Sequence, residues 1–307
     1  MSSDSPTVIP RYERAQLGTK ALQRLGSSLA SADPLTPAQE DLYQAFIIDA
    51  DTRRVILQDL MDRLLVAASG ALPRLAVAST GRTKTRATLV EKLRREPHIK
   101  LPSIRDVAGI RVVADCSLLE LEMMAGVIQE AISAAPLQEW GFGETRLIDR
   151  LSSPMFGYRA LHLEVRLSGA PAEIQFRTQM QHEWAQFMEL LCDRWGREPR
   201  YGLPLAEPDE EKLAVKTAIL DQMQNLSLAI AETEEETRRA GLGYVNYDVL
   251  KESAARISPS MREEYAGIRA ESEPTLSQLR VSMRQSIQRL QRVFALLEAM
   301  DEGQEVS

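Results

Sequence analysis

The chain has 307 residues, 44% hydrophobic and 26% charged, with 16 glycines and 15 prolines. This is an ordinary globular composition with ample material for a core, and it excludes collagen-like and wholly disordered classes. The net charge of −7 falls entirely within residues 205–307, which hold 12 basic and 19 acidic side chains, whereas residues 74–111 hold ten Arg or Lys against three acids, a local excess that asks for a polyanionic partner or a well-solvated surface.

The opening MSSDSPTVIPRYERAQ has no apolar h-region, so no signal peptide is expected. Residues 1–36 read as a flexible segment. Thr36-Pro37 is a helix start, and Leu42, Phe46, Ile47, Val55, Leu57, Leu60, Leu64 and Leu65 carry helical spacing to Ser69-Gly70. Asp49 and Asp51 within it read as a solvated face. Short strands and helices then mix: a strand over 74–78, a helix over 84–95, a strand over 109–114, a helix over 118–132 and a strand over 145–148. Strands over 160–167 and 172–176 form a hairpin about Gly169-Ala170, and a helix follows over 179–195. Trp184 and Trp195 on that helix read as core or interface. From Pro208 on the pattern is helical only, with breaks near Gly241-Gly243, Ser258-Pro259 and Glu273-Pro274, and Glu232–Glu236 reads as a charged helix face. The last helix has an apolar stripe at Leu276, Leu279, Met283, Ile287, Leu290, Phe294 and Leu297, suited either to packing on its own domain or to self-association. No 18-residue apolar run exists, so no membrane span is expected. With only Cys116 and Cys192, neither a disulfide framework nor a metal cluster is expected, and a reduced cytoplasmic protein is the default.

Four segments carry chemistry. In Ser79–Lys84 with Arg86, Thr88 and Lys92, cations and hydroxyls converge near a helix N-terminus, a phosphate-binding arrangement that lacks the Walker A pattern. In Arg105-Asp106-Val107-Ala108-Gly109-Ile110-Arg111, an acid stands at a strand mouth. In Gly157–Leu163, alternation places Tyr158, Ala160 and His162 on one strand face, suited to stacking on a base. In Glu173–Thr178, Glu173, Gln175 and Arg177 share a polar face, and Glu173 could join Asp106 on a magnesium ion and take a proton.

Together GRTK with Thr88 and Lys92, RDVAGIRV, GYRALH and EIQFRT resemble the synthetase domain of the RelA/SpoT family, over about residues 72–195. The resemblance implies an α+β fold, with a nucleotidyltransferase-like mixed β-sheet flanked by helices and an all-helical C-terminal extension. The expected domains are a flexible segment over 1–36, a synthetase domain with its N-terminal helix over 37–204 and a helical region over 205–307 that serves oligomerisation or autoregulation by covering the site in cis. It implies transfer of the β,γ-pyrophosphate of ATP to the 3′-hydroxyl of GDP or GTP, giving (p)ppGpp and AMP. By position, Arg82, Lys84, Thr88, Lys92 and Arg111 are the implied ATP-binding set. Asp106 and Glu173 are the implied magnesium ligands, with Glu173 the base toward the hydroxyl. Tyr158, Arg159, His162 and Gln175 are the implied acceptor-binding set, Tyr158 stacking on guanine.

Two departures from the family pattern stand out, and the second bears on the acceptor. Thr88 stands where the family has serine, and Met155 where it has a lysine near the acceptor's 5′ phosphates. The second opens an alternative: a toxin of the family's branch that pyrophosphorylates the 3′-CCA end of tRNA and blocks translation. No histidine is followed by aspartate, so the hydrolase site of bifunctional members is not expected. A synthetase-only form follows, whose further partners to consider are a second copy, through the C-terminal helices, and an antitoxin. A DNA-polymerase-β-type transferase and a catalytically dead regulator are weaker readings. The Gly-Ser and Asp-x-Asp of the first lie too far apart, and both acids are retained against the second.

Overall fold

The computed structural model describes residues 17–31, 33–69, 77–138, 141–242 and 259–301. They form two compact units that interleave in sequence. The first comprises residues through Val113, Met124–Ile148 and Leu161–Phe176. The second comprises Ala114–Met123, Asp149–Ala160 and everything from Arg177 on. The architecture is α+β, a mixed five-stranded sheet flanked by helices and followed by C-terminal helices. Among the described residues no helix is long and apolar enough to cross a membrane.

In the first unit, α1 (Thr19–Ser31) occupies part of the segment expected to be flexible. Leu22, Leu25 and Leu29 step along one face and are buried. Gly26 between them lets α1 approach closely, since a Cβ there would lie 2.9 Å from Leu101 Cβ. The stripe is short enough to be lost among its Ser and Gly neighbours.

Helix α2 (Pro37–Ser69) starts as expected. The Thr36 Oγ1 accepts from Gln39 N at 3.3 Å, and Gln39 Oε1 accepts from Thr36 N at 2.9 Å. Asp49 is not on a solvated face: it is 6% exposed and accepts from Arg53, itself 2% exposed, whose guanidinium also donates to the Pro171 carbonyl. The pair neutralises itself at a position that pattern reading reserves for apolar residues, while Val55 is exposed. Asp51 accepts from Thr83 Oγ1 at 2.8 Å, fixing the end of β1 (Val77–Thr83) to α2. Residues 74–76 of the expected first strand lie outside the described residues.

Helix α3 (Arg86–Arg95), β2 (Ala108–Ala114), α4 (Leu118–Ser133), the single turn α5 (Ala135–Gln138), β3 (Phe142–Asp149), β4 (Leu161–Leu167) and β5 (Ala170–Thr178) follow. The sheet order is β1-β2-β5-β4-β3. The expected hairpin is present as an antiparallel pair. Its turn is Ser168-Gly169, one residue earlier than expected, because Leu167 pairs with Ala170 and both turn residues have left-handed φ, +47° and +78°. Leu161, Leu163, Val165 and Leu167 oppose Phe176, Ile174, Ala172 and Ala170 on a buried apolar face. His162 and Glu164 oppose Gln175 and Glu173 on the other.

In the second unit, α6 (Gln179–Trp195) opens on a capping box between Thr178 and Gln181. It packs with α7 (Glu210–Leu242) and α8 (Pro259–Asp301) around Trp184, Phe187, Met188, Leu191, Met223 and Ile230. Of the α8 stripe, Met283, Ile287, Phe294 and Leu297 are buried, and Phe294 lies against Trp195 and Phe187. From Met283 to Leu297 the seam is therefore covered within its own unit, and the Leu276 side chain lies outside those described. The expected break at Glu273-Pro274 is absent: α8 runs through Pro274, which is exposed, so water can satisfy the carbonyl whose partner the ring removes. The break near Gly243 and the one ahead of Pro259 border residues outside those described.

Glu234, expected on a charged face, is 3% exposed. It accepts from Thr178 Oγ1 at 2.5 Å and from Gln181 Nε2 at 2.7 Å, so α7 grips the start of α6. Burial pushes its carboxyl from 4.5 up to about 7, against the pull of those bonds and of Arg159 and Arg280. The folded value lies above the unfolded one. The stability it carries is thus fully present below pH about 4.5 and is lost as pH rises through about 7. Glu234→Gln keeps the partners without ionising. It is expected to melt roughly 5 °C above the unsubstituted protein at pH 8 and level with it at pH 5, in paired thermal melts; equal melting at both would remove the ionisation argument.

Candidate active site

The first unit places charged groups around Asp106. Lys84 follows β1 and precedes Thr85, the N-cap of α3, whose side chain accepts from Thr88 N. Lys84 is therefore outside the helix, which starts two residues later than the expected 84–95. Its N–H donates to the Val107 carbonyl at 3.2 Å, tying this loop to the short 3-10 turn Arg105–Val107. That turn carries Asp106. Lys84 Nζ reaches Asp106 Oδ2 at 2.6 Å, and Lys92 Nζ, from two turns along α3, reaches Oδ1 at 3.0 Å. Burial alone would raise the Asp106 carboxyl; the two ammonium groups override it and hold it at about 2. Thr88 Oγ1 donates to the Thr85 carbonyl at 2.9 Å. Arg82 and Arg111 lie on the neighbouring strands β1 and β2; the Arg82 side chain is outside the described residues.

Glu173 on β5 is 7% exposed. One of its oxygens is paired with His162 Nδ1, and the other accepts from Gln175 Nε2 at 3.3 Å. Burial pushes its carboxyl up and His162 pulls it down by hydrogen bond and charge. The Asp106 charge pushes it up again, and the net position is below the ordinary value. Glu173 is thus a carboxylate at neutral pH, within electrostatic reach of Asp106. Among the described residues, no three His, Cys, Asp or Glu side chains gather as a metal cluster. Two carboxylates suffice for magnesium, which is commonly held by one or two carboxylates together with substrate phosphates and water. Asp106 and Glu173 fit that role. Burial raises both the Cys116 and Cys192 thiols, leaving them poor nucleophiles.

The second unit holds Tyr158 and Arg159. Strand β4 begins at Leu161, so Tyr158 is not on its face beside His162 as alternation implied. It closes a tight turn, Met155–Tyr158, in which Tyr158 N donates to Met155 O at 3.0 Å and Met155 N to Tyr158 O at 3.3 Å. Arg177 Nη2 donates to the Tyr158 hydroxyl at 2.8 Å, and its guanidinium lies 4.8 Å from the ring centroid. The Tyr158 ring lines a cleft with Met155, Phe156, Trp184, Met188 and Arg200. Arg159 turns to the Leu151 carbonyl, and burial lowers its pKa while Glu234 raises it.

Residues 81–189 match the model of the region found in RelA / SpoT proteins. The uncharacterized protein Rv1366 of Mycobacterium tuberculosis (strain H37Rv) is 32% identical over 234 residues, covering 75% of this chain and 79% of that protein. The same figures hold for the uncharacterized protein Mb1401 of Mycobacterium bovis. The chain belongs to the RelA/SpoT family. Among solved structures, small alarmone synthetase 1 from Bacillus subtilis bound to its product pppGpp aligns at a TM-score of 0.47 and 20% identity, covering 64% of this chain and 97% of that one. A second structure of that synthetase aligns at 0.48 and 19%, covering 64% and 96%.

Within this RelA/SpoT chain the first unit gathers Lys84, Lys92, Asp106, His162, Glu173 and Gln175. Tyr158 and Arg159 belong to the second. Sequence reasoning missed Arg200, which lines the Tyr158 cleft from the 3-10 turn Glu198–Tyr201, and also Gln224, Ser227 and Glu234 on α7. These residues act through single side-chain contacts, which leave no period in the sequence.

Proposed function

We propose that this RelA/SpoT chain is an ATP-dependent pyrophosphotransferase that moves the β,γ-pyrophosphate of ATP to the 3′-hydroxyl of GDP or GTP. The observation that carries the reading is the Lys84–Asp106–Lys92 trio beside the buried Glu173 carboxylate. Lys84 and Lys92 bind the triphosphate, aided by Arg82, Thr88 and Arg111. Magnesium, when bound by Asp106 and Glu173, supplies charge neutralisation on the phosphates. Glu173 takes the proton of the 3′-hydroxyl as its oxygen bonds to the β-phosphorus. The bond from that phosphorus to the α,β-bridging oxygen breaks, and AMP leaves with that oxygen. His162 and Gln175 orient Glu173. Attack on phosphorus is governed by such positioning and charge neutralisation.

Tyr158 stacks on the acceptor base, in a cleft that Arg200 and Glu189 line with opposite charges. Tyr158→Ala is expected to raise the acceptor KM by roughly 10–100-fold, with the ATP KM within about twofold. Equal weakening of both nucleotides in initial-rate assays would remove the stacking role.

The exposed Met155 and Phe156, 41% and 48%, favour a second reading in which the acceptor is the 3′ end of tRNA. One assay separates the two. Protein, magnesium and ATP labelled on the γ-phosphate are offered GDP, GTP or deacylated tRNA in parallel. Label in a guanosine tetra- or pentaphosphate supports the proposal. Label on tRNA alone replaces it with the toxin, whose antitoxin then becomes the partner to seek, and label on neither sinks both.

A further inference from the structure

The turn that presents Tyr158 is held from behind by α7. Its two central residues, Phe156 and Gly157, have φ of +46° and +82°. Glycine adopts this region freely, but a phenylalanine there is disfavoured and persists only when its surroundings fix it. Each central carbonyl is fixed by a different side chain of α7. Gln224 Nε2 donates to the Phe156 carbonyl at 2.8 Å, and Ser227 Oγ donates to the Gly157 carbonyl at 2.5 Å. The two donors are three residues apart and share one helix face. The helix is itself located by Trp184, whose Nε1 donates to the Met223 carbonyl at 2.7 Å.

The space around the turn is equally determined. A Cβ on Gly157 would lie 2.8 Å from the Trp184 ring and 2.9 Å from Gln224 Oε1, so no other residue fits there. A Cβ on Gly202 would lie 1.7 Å from the Phe156 ring, which rests on that glycine.

We propose that Gln224 and Ser227 are positioning residues for the acceptor, clamping the Phe156-Gly157 turn in its left-handed conformation and so fixing Tyr158. The acceptor part of this rests on the pyrophosphotransferase reading above. It gives the helical region after residue 205 a task in cis: α7 builds the back of the acceptor loop.

The test uses the full chain, with Ser227→Ala, the double variant Gln224→Leu/Ser227→Ala, and a control, Leu228→Ala, at an exposed position of the same helix. Two readouts are taken beside a thermal melt. Hydrogen exchange follows the Met155 and Tyr158 amides, which bond across the turn, and initial rates give KM for ATP and for whichever of GDP, GTP or deacylated tRNA accepts label. The double variant is expected to exchange those amides about tenfold faster and to raise the acceptor KM about tenfold, with ATP KM unchanged and β4 amides as protected as before. Ser227→Ala alone shows a smaller change in the same direction, and decides the matter if the double variant melts. Leu228→Ala shows neither. Unchanged exchange at Met155 and Tyr158 overturns the clamp, and so does a joint rise of both KM values. If the unsubstituted protein labels no acceptor, the pyrophosphotransferase reading fails while amide exchange still judges the clamp.

Discussion

Glu173→Gln is expected to lower kcat by between roughly a hundredfold and ten-thousandfold, the range in which a positioned general base contributes, with ATP KM and melting temperature nearly unchanged. The substitution is close to isosteric. Its amide oxygen can still accept from His162, so the buried pair becomes a neutral hydrogen bond, and its amide nitrogen can donate to Gln175 once that amide turns its oxygen inward. What is lost is the carboxylate that His162 holds ionised despite 7% exposure. An amide takes no proton and is a weak magnesium ligand. The fold survives because Leu161, Leu163, Ile174 and Phe176 seal the opposite face of the hairpin. Rapid-quench measurement of label transfer reads the chemical step directly. Full activity in this variant would sink the base assignment. A large fall in melting temperature would mean that Glu173 is chiefly a structural partner of His162.

The parts of this fold that could be read from the sequence were those written as a period. The β4–β5 alternation, the β2 run Ala108–Ala114 and helix α6 all bury the residues their patterns select. Where two charged groups satisfy each other, pattern fails: Asp49 and Arg53 occupy buried positions on α2 that polarity alone assigns to solvent. The same blindness hid Glu234, one of five residues in a charged run, whose burial is explained by Thr178 and Gln181 some fifty residues away. The site divides similarly. Residue types near a helix start marked Lys84, Thr88 and Lys92 as a phosphate locus. That Lys84 and Lys92 converge on Asp106 is a tertiary fact with no signature in spacing. Alternation continues from Leu161 back through Tyr158 and so implies a strand there. The left-handed φ of Phe156 breaks that strand, and nothing in its side chain announces the break.

Asp106→Asn should move two measurements in opposite directions. Each Asp106 oxygen carries one lysine, Lys84 at 2.6 Å and Lys92 at 3.0 Å, and with a pKa of about 2 the carboxylate is charged at neutral pH. The trio therefore has one net positive charge. Neutralising the aspartate leaves two, and the lysines, about one-fifth exposed, turn from the carboxylate toward whatever anion is offered. A unit charge at about 4 Å is worth roughly 4 kcal/mol at an effective dielectric near 20. Even heavily screened, metal-free ATP should bind about tenfold tighter in a titration with chelator present. Label transfer should fall more than about a hundredfold, because one of the two carboxylates that fit magnesium is gone. The two signs separate the roles. If Asp106 served only to brace the lysines, its loss would loosen both ATP binding and turnover together. If it were a passive surface acid, neither would change. Tighter metal-free binding with lost transfer is the pattern required of an acid that holds two phosphate-binding lysines in wait and hands them over when the triphosphate arrives with its ion.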